Sequence, residues 1–123
     1  MRIGMLADLY LPHISGITNH IVLAKRYFEE QGHEVFVFTI GDETDADDDP
    51  TVIKSPGLPL ADTGFYINVR YNLKAQRVLR TMDVVHVHHP FISGRLALRY
   101  CPPRNIPVVF TNHTRYDLYA QAY

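Results

Sequence analysis

The feature that most constrains the fold is an apolar run, a helical repeat and a second apolar run at the start of the chain. Residues 2–8 are mostly apolar and end at Asp8, as expected of a central parallel strand. Apolar residues then recur at helical spacing from Ile17, and Gly32 is placed to end that helix as a left-handed cap. Residues 34–41 form the second apolar run. A strand, a helix and a strand in this order predict a βαβ unit with a parallel strand pair.

The rest of the chain continues this alternation. A short third strand is predicted over 51–54, followed by irregular chain rich in proline and glycine. The last strand should be buried on both faces, because its residues are β-branched and aromatic. We expect a Rossmann-like three-layer α/β sandwich with a mostly parallel sheet, formed by residues 1–123 as one domain. The later elements are predicted as helix, strand, helix and strand over 72–81, 83–88, 92–100 and 106–110.

The cysteine content and hydropathy indicate where the chain functions. The single cysteine, Cys101, excludes an internal disulfide and fits a reducing compartment. No apolar stretch is as long as the core of a signal peptide or a membrane-spanning helix. These features predict a cytoplasmic protein that is not integral to a membrane.

Charge is distributed unevenly along the chain. Residues 1–62 carry four basic and eleven acidic side chains, whereas residues 63–123 carry eight basic and two acidic ones. The second half is therefore a candidate anion-facing surface. The acidic excess is concentrated in residues 41–50, which are predicted to form a solvated loop. That segment lacks the glycine and the terminal glutamate of a calcium loop.

The loop at 12–16, PHISG, joins the first strand to the first helix. A small residue at Gly16 lets the backbone N–H groups of the helix N-terminus approach a phosphate or a sugar, and the helix dipole favours an anion there. Alternatively, Gly16 only permits a tight turn from strand to helix. The dinucleotide-binding glycine motif and the P-loop lysine motif are both absent.

Histidine side chains follow two of the predicted strands. His86, His88 and His89 close one strand, and His113 follows the last one. Because the carboxyl ends of parallel strands meet at one sheet edge, these imidazoles should converge, with His86 and His88 on the same face. A zinc site is the sharper alternative. Hydrogen-bonded or exposed histidines are favoured instead, because no acidic or cysteine ligand lies close in sequence, and no metal is expected. The hydroxyl and amide neighbours of His113 suit binding to sugar hydroxyls.

A basic segment without acidic residues extends from 63 to 82. Its basic residues recur at spacings of four, three and three, which would place them on one face of the predicted helix. With aromatic neighbours, such a face can dock on an anionic membrane surface. The simpler interpretation is a solvated helix face, and nucleic acid is disfavoured because no recognition motif is present. The residues are Arg70, Lys74, Arg77 and Arg80.

Together these motifs resemble a known family of enzymes. Residues 1–39 resemble the opening of GT-B glycosyltransferases of the family 4 type, in which a proline- and glycine-containing loop leads into a long helix ending in Gly-His-Glu-Val. That tetrapeptide stands at 32–35. Residues 84–98 and 106–123 are similar to the second and third signature regions of the same N-terminal domain. Within that family, the similarity is greatest to bacterial enzymes that glycosylate diacylglycerol or related lipids.

The resemblance implies roles for individual residues. Gly16 matches a loop glycine near the donor phosphates. Ser15, where many members have a further glycine, is the second donor-side residue that the resemblance implies. His113 matches the histidine that contacts the donor sugar at the reaction centre. Residues 89–94 match a loop that lines the acceptor side. The acceptor-side residues so implied are His89, Pro90, Phe91, Thr114 and Tyr116.

The resemblance also implies an activity. The chain would be the acceptor-binding, N-terminal part of a retaining glycosyltransferase that moves a hexose from a UDP- or GDP-sugar to an acceptor such as a membrane lipid. The family's nucleotide-gripping C-terminal domain has no counterpart in these 123 residues, so we expect the chain alone to be inactive. Any membrane contact would be peripheral, at the inner face, with no cofactor needed. The alternative is a non-catalytic α/β module that binds an anionic ligand or surface.

Overall fold

A computed structural model describes residues 1–12, 14–41, 49–59, 66–67 and 70–113. The acidic loop at 42–48, the predicted acceptor-side residues Thr114 and Tyr116, and the tail after them lie outside the described residues. The described elements follow the predicted alternation of strands and helices. In chain order they are β1 (Arg2–Leu6), α1 (Gly16–Glu30), β2 (Glu34–Ile40), β3 (Val52–Ser55), β4 (Leu58–Pro59), β5 (Tyr66–Ile67), α2 (Leu73–Leu79), β6 (Val84–Val87), α3 (Ile92–Tyr100), a 3-10 turn (Pro102–Arg104) and β7 (Val108–Phe110).

Five of the described strands form one parallel sheet in the order β3-β2-β1-β6-β7. The first strand lies at its centre, with Ile3 paired to Val35 of β2 on one side and to Val84 of β6 on the other. A short antiparallel pair, β4 and β5, lies in the segment predicted to be irregular. The strand order places the ends of β1 and β6 side by side, where the chain crosses between the two halves of the sheet.

Helices cover both faces of the sheet. Met5 belongs to the apolar cluster that contains Ile21 of α1. The next residue, Leu6, points to the opposite face and belongs to the cluster that contains Leu79 of α2 and Leu96 of α3. Successive side chains of a strand point to opposite faces, so the two clusters are the two interfaces between helices and sheet. This arrangement confirms the three-layer α/β sandwich.

The predicted left-handed end of α1 is confirmed at Gly32, whose φ is 90°. The N–H of Gly32 donates to Glu29 O at 3.0 Å, and the N–H of His33 donates to Phe28 O at 3.0 Å. These two bonds form a Schellman motif, which satisfies carbonyl groups left open at the helix end. The turn directs the chain straight into β2.

The prediction that the last strand is buried on both faces is wrong. β7 lies at the edge of the sheet and pairs with β6. Its side chains are exposed, by 37% for Val108, 49% for Val109 and 47% for Phe110. An edge strand has a sheet neighbour on one side only, so more of its surface stays open than in a central strand. An apolar composition therefore did not indicate burial here.

The second helix is shorter than the predicted 72–81. Asn72 is its N-cap, and its side-chain oxygen accepts a hydrogen bond from the N–H of Ala75 at 2.9 Å. This cap starts the helix at Leu73, so Arg70 precedes it and Arg80 is the C-cap. The prediction that all four basic residues share one helix face is therefore wrong for Arg70. Those that lie within the helix are Lys74 and Arg77.

Candidate functional site

The candidate site lies at the carboxyl edge of the sheet, where β1, β6 and β7 end together. Backbone bonds extend the ladder beyond the strands: the N–H of His88 donates to Leu6 O at 2.9 Å, and the N–H of Thr111 donates to Val87 O at 3.1 Å. These bonds hold the ends of neighbouring strands in register. The residues that follow each strand therefore meet, as the sequence predicted for the histidines.

His88 and His113 make the central contact of this edge. Nδ1 of His88 lies 3.0 Å from Nε2 of His113, and the two rings stack with their centroids 5.3 Å apart. His88 is 1% exposed, whereas His113 is partly buried and reaches the surface. The buried ring of His88 therefore fixes the orientation of the more exposed ring of His113.

His86 supports the same cluster. Its ring centroid lies 4.1 Å from that of His88, which confirms that both side chains lie on one face of β6. Nε2 of His86 lies 2.5 Å from Oγ1 of Thr111, the first residue after β7. A second polar bridge therefore joins the ends of β6 and β7.

His20 completes the group, and sequence reasoning missed it. It lies on α1, one turn after Gly16, with its ring centroid 5.0 Å from His113 and 5.6 Å from His88. One nitrogen from each of these three rings lies within 4.8 Å of one from each of the others. The signal was available: the loop at 12–16 brings the start of α1 to the same edge, so a histidine one turn later also faces it.

Desolvation sets the protonation state of these rings. Burial, followed by the nearby imidazoles, lowers the pKa of His88 to about 3. Burial and His20 lower the pKa of His113, and burial with His20 and His113 lowers that of His86. These three rings are neutral at pH 7. The contact between His88 and His113 is therefore an N–H of one ring donating to the lone pair of the other.

Asp8 links the end of β1 to the loop after β6. The sequence indicated only that this carboxylate lies at the end of the first strand. Its side chain is buried, and it accepts hydrogen bonds from the N–H of Ser93 at 2.7 Å and of Ile92 at 3.3 Å. Phe91, the N-cap of α3, makes no side-chain cap bond. Asp8 therefore caps α3 from another strand, where its charge also complements the helix dipole.

His89 is held in the same network. Its Nδ1 accepts a hydrogen bond from the backbone N–H of Asp8 at 3.0 Å. Burial lowers the pKa of His89 and outweighs the opposing effect of the Asp8 carboxylate. Since Nδ1 is an acceptor, the neutral ring carries its proton on Nε2. His89 therefore positions the loop that begins at Pro90, where Phe91 projects into solvent with 62% of its surface exposed.

Gly16 and Ser15 form the N-terminus of α1. Oγ of Ser15 caps the helix by accepting a bond from the N–H of Thr18 at 3.1 Å. No described atom lies within 4 Å of the position that a Cβ on Gly16 would take, and its φ is not left-handed. Neither crowding nor backbone strain requires glycine here, so the tight-turn interpretation loses its basis. The position that a Cβ on Gly16 would take is open space among the described residues.

The basic residues predicted as a membrane surface lie apart from the histidines, before, within and after α2. All four, Arg70, Lys74, Arg77 and Arg80, are exposed. Among the described residues, no helix combines the length and the apolar character needed to cross a bilayer.

Comparison with known proteins agrees with this architecture. The family model of glycosyltransferase family 4 matches residues 14–123, which is most of the chain. The chain belongs to glycosyltransferase family 4. The match includes the N-terminus of α1, the β6 histidines and His113. Family 4 membership thus confirms the resemblance seen in the sequence.

Two family 4 relatives align with nearly all of the chain. It is 38% identical over 125 residues to an alpha-monoglucosyldiacylglycerol synthase of Acholeplasma laidlawii, covering 97% of this chain and 31% of the relative. It is 33% identical over 123 residues to the protein of the same name from Streptococcus pneumoniae (strain ATCC BAA-255 / R6), covering 97% and 28%. The chain therefore spans about a third or less of the length of these relatives.

Proposed function

We propose that this chain is the acceptor-side part of a retaining glycosyltransferase that moves a hexose from a nucleotide sugar to a diacylglycerol-type lipid. The observation that carries the proposal is the meeting of the α1 N-terminus with the His88–His113 pair, through His20, at one sheet edge. Membership of family 4 and the names of the two relatives support it.

The donor phosphates would lie above the N-terminus of α1. The side-chain oxygen of Ser15 accepts a hydrogen bond from the N–H of Thr18, and its backbone carbonyl accepts one from the N–H of Asn19. The N–H groups of Gly16 and Ile17 donate no hydrogen bond within the described residues, and they lie at the positive end of a 15-residue helix. Two amides and a helix dipole favour the charge that develops on a leaving diphosphate. In this proposal Ser15 acts by holding those amides in place.

His113 would contact the donor sugar. Its Nε2 is directed to His88, so its Nδ1 is the nitrogen that remains for a sugar hydroxyl. A neutral imidazole held from beneath can stay in one orientation while the sugar acquires oxocarbenium character, which is how preorganised polar groups lower a barrier. His113 is thus the proposed catalytic residue, and His88 is a positioning residue.

The names of the two relatives support the proposal of a retaining reaction. The relatives are named for an alpha-linked glucosyl product. Glucose in common nucleotide donors such as UDP-glucose is alpha-linked to phosphate, so an alpha product keeps the configuration of the donor. A UDP- or GDP-hexose is the donor class proposed for this chain.

The acceptor would approach from the loop at 89–94. His89 is fixed by Asp8, Pro90 is partly buried, and the exposed Phe91 offers an apolar contact next to the polar edge. A lipid glycerol has the same mixed character. Thr114 and Tyr116 stay in the proposal as acceptor-side residues on the sequence resemblance alone. Peripheral contact with the inner face of the membrane, through the basic residues near α2, would present the lipid.

The test compares this chain with a longer protein in which the chain is followed by the proposed nucleotide-binding domain. Each is incubated with a panel of UDP- and GDP-hexoses and diacylglycerol vesicles, and the lipid product is analysed by mass spectrometry and anomeric NMR. We expect an alpha-hexosyl lipid from the longer protein and none from residues 1–123. A beta-linked product would contradict retention, and the absence of any hexosyl lipid would contradict the proposed reaction.

A second candidate function is favoured by the exposed basic residues near α2. A non-catalytic α/β module would use them, with the α1 N-terminus, to bind an anionic surface. It predicts vesicle binding by residues 1–123 together with no sugar transfer by the longer protein. Sugar transfer would exclude it.

A further inference from the structure

The ring nitrogens of His20, His88 and His113 converge on one point, and no step of the proposed reaction uses that convergence. Their ring nitrogens converge within 4.8 Å, each from a different element: α1, the end of β6 and the segment after β7. Three separate elements thus bring three imidazole side chains to one place. Hydrogen bonding accounts for one pair, His88 with His113.

The buried ring at the centre is not satisfied by the described protein atoms. His88 is 1% exposed, and its Nε2 makes no hydrogen bond within the described residues. Such an unpartnered buried nitrogen commonly marks a missing water, and it leaves Nδ1, the nitrogen that faces His113, as the atom of His88 available to an ion. Whichever tautomer His88 adopts, its two nitrogens cannot both be paired by His113.

The spacing of the rings is close to that of a zinc site. Zn–N bonds of about 2.0–2.1 Å in tetrahedral geometry place two ligand nitrogens about 3.3 Å apart. Nδ1 of His88 and Nε2 of His113 are already 3.0 Å apart. His20 is exposed on the helix surface, so a rotation of its side chain can bring the third nitrogen closer without moving the backbone.

The donor set selects the class of ion. Imidazoles bind zinc, nickel, copper and cobalt, whereas magnesium and calcium require oxygen ligands. No carboxylate belongs to the cluster among the described residues. The site would therefore be a three-nitrogen site with one position open to solvent.

We propose that His20, His88 and His113 bind one divalent transition-metal ion of the zinc class at the carboxyl edge of the sheet. Binding itself does not depend on the proposed enzymatic function. A consequence does rest on that function: because His113 is the proposed contact to the donor sugar, a bound ion would compete with the donor and inhibit transfer. The zinc measurement uses no sugar, so its failure and the failure of the proposed function are separate outcomes.

The test titrates the untagged 123-residue chain with Zn²⁺ by calorimetry and with Co²⁺ by absorption spectroscopy. An excess of Mg²⁺ is present to occupy carboxylates. We expect one equivalent of Zn²⁺ to bind and the Co²⁺ complex to show the visible bands of a tetrahedral site. His20→Ala and His113→Ala should each weaken binding by at least about tenfold, because even the outer hydrogen-bond partners of a ligand are worth that much.

His33→Gln is the matched control. His33 is a partly buried histidine at the opposite end of the sheet, where its Nδ1 contacts the N-terminal amine, and its replacement should leave Zn²⁺ affinity unchanged. Circular dichroism of each variant verifies the fold. The proposal is overturned if wild-type chain binds no Zn²⁺ in the presence of Mg²⁺, if His20→Ala binds as tightly as wild type, or if His33→Gln loses as much affinity as His20→Ala.

Discussion

Nδ1 of His88 lies 3.0 Å from Nε2 of His113, which joins the end of β6 to the segment that follows β7. The contact orients the partly buried ring of His113, because it directs Nε2 to His88 and leaves Nδ1 as the nitrogen that can meet a sugar hydroxyl. His88 is buried, its ring is packed against those of His86 and His20, and its backbone N–H is bonded to Leu6 O. The orientation of His113 is therefore set by the core of the sheet rather than by its own exposed segment.

Replacing Asp8 with alanine should destabilise the fold. Two backbone N–H groups at the start of α3 would lose their acceptor, and one of them belongs to the fully buried Ser93. We expect a loss of about 1–3 kcal/mol in the free energy of unfolding, measured by urea denaturation. Glu30→Ala, at the exposed end of α1, is the control and should change stability by less than about 0.5 kcal/mol. Equal stability of the two variants would contradict the capping role.

Gly16→Ala separates a structural role from a ligand-binding role. The added Cβ meets no described atom, so stability should stay the same or rise by up to about 1 kcal/mol. In the longer protein, the same methyl group should raise the KM for the nucleotide sugar, because it occupies the space proposed for the phosphates. An unchanged KM would remove Gly16 from the donor site.

Gly32→Ala is the matched control for that variant. The φ of Gly32 is 90°, a left-handed conformation that costs an alanine about 1 kcal/mol or more. It should therefore lower the thermal midpoint and leave KM unchanged. The two glycines are expected to show opposite patterns, one affecting stability and the other affecting donor binding.

The thiol of Cys101 should be unreactive in the folded chain. Burial raises its pKa to about 11, so at pH 8 only about one thiol in a thousand is ionised. Alkylation by iodoacetamide, followed by mass spectrometry, should be slow in buffer and rapid in urea. Similar rates under both conditions would show that Cys101 is accessible.

Binding to anionic membranes should depend on the position of the basic residues and not on charge alone. Cations near acidic lipid contribute about 1 kcal/mol each, so replacing Arg70, Lys74, Arg77 and Arg80 with glutamine should abolish sedimentation with phosphatidylglycerol vesicles.

The matched control replaces the exposed Arg26, Arg95, Arg99 and Arg104 with glutamine, which removes the same charge from other surfaces. This variant should still sediment with the vesicles. Equal losses in the two variants would indicate binding by net charge, and persistent binding in both would indicate that these residues are only solvated surface.

The order of elements was predictable from the sequence because each apolar run and helical repeat was bounded by a turn residue. The bounds of α3 match the prediction, and Gly32 ends α1 as predicted. Burial of β7 was not predictable, because an apolar strand at the edge of a sheet has the same composition as a central one. Edge position depends on strand order, which is a property of the whole sheet.

The candidate site was predictable in part. The histidines that follow β6 and β7 were predicted to meet because parallel strands end at one edge of the sheet. His20 was missed because it lies on a helix, to which that rule does not apply. The cap that Asp8 provides to α3 joins residues more than eighty positions apart, and periodicity carries no information on such a pair. Long-range polar partners required the structure.

The most direct test of the account is the turnover of the longer protein with His113 replaced by alanine, assayed with its nucleotide sugar and diacylglycerol vesicles. Loss of a preorganised polar contact at a reaction centre costs about 10²–10³ in kcat, and we expect a decrease of that size with the fold retained. His33→Gln should retain wild-type turnover. Turnover of His113→Ala within about twofold of wild type would contradict the account.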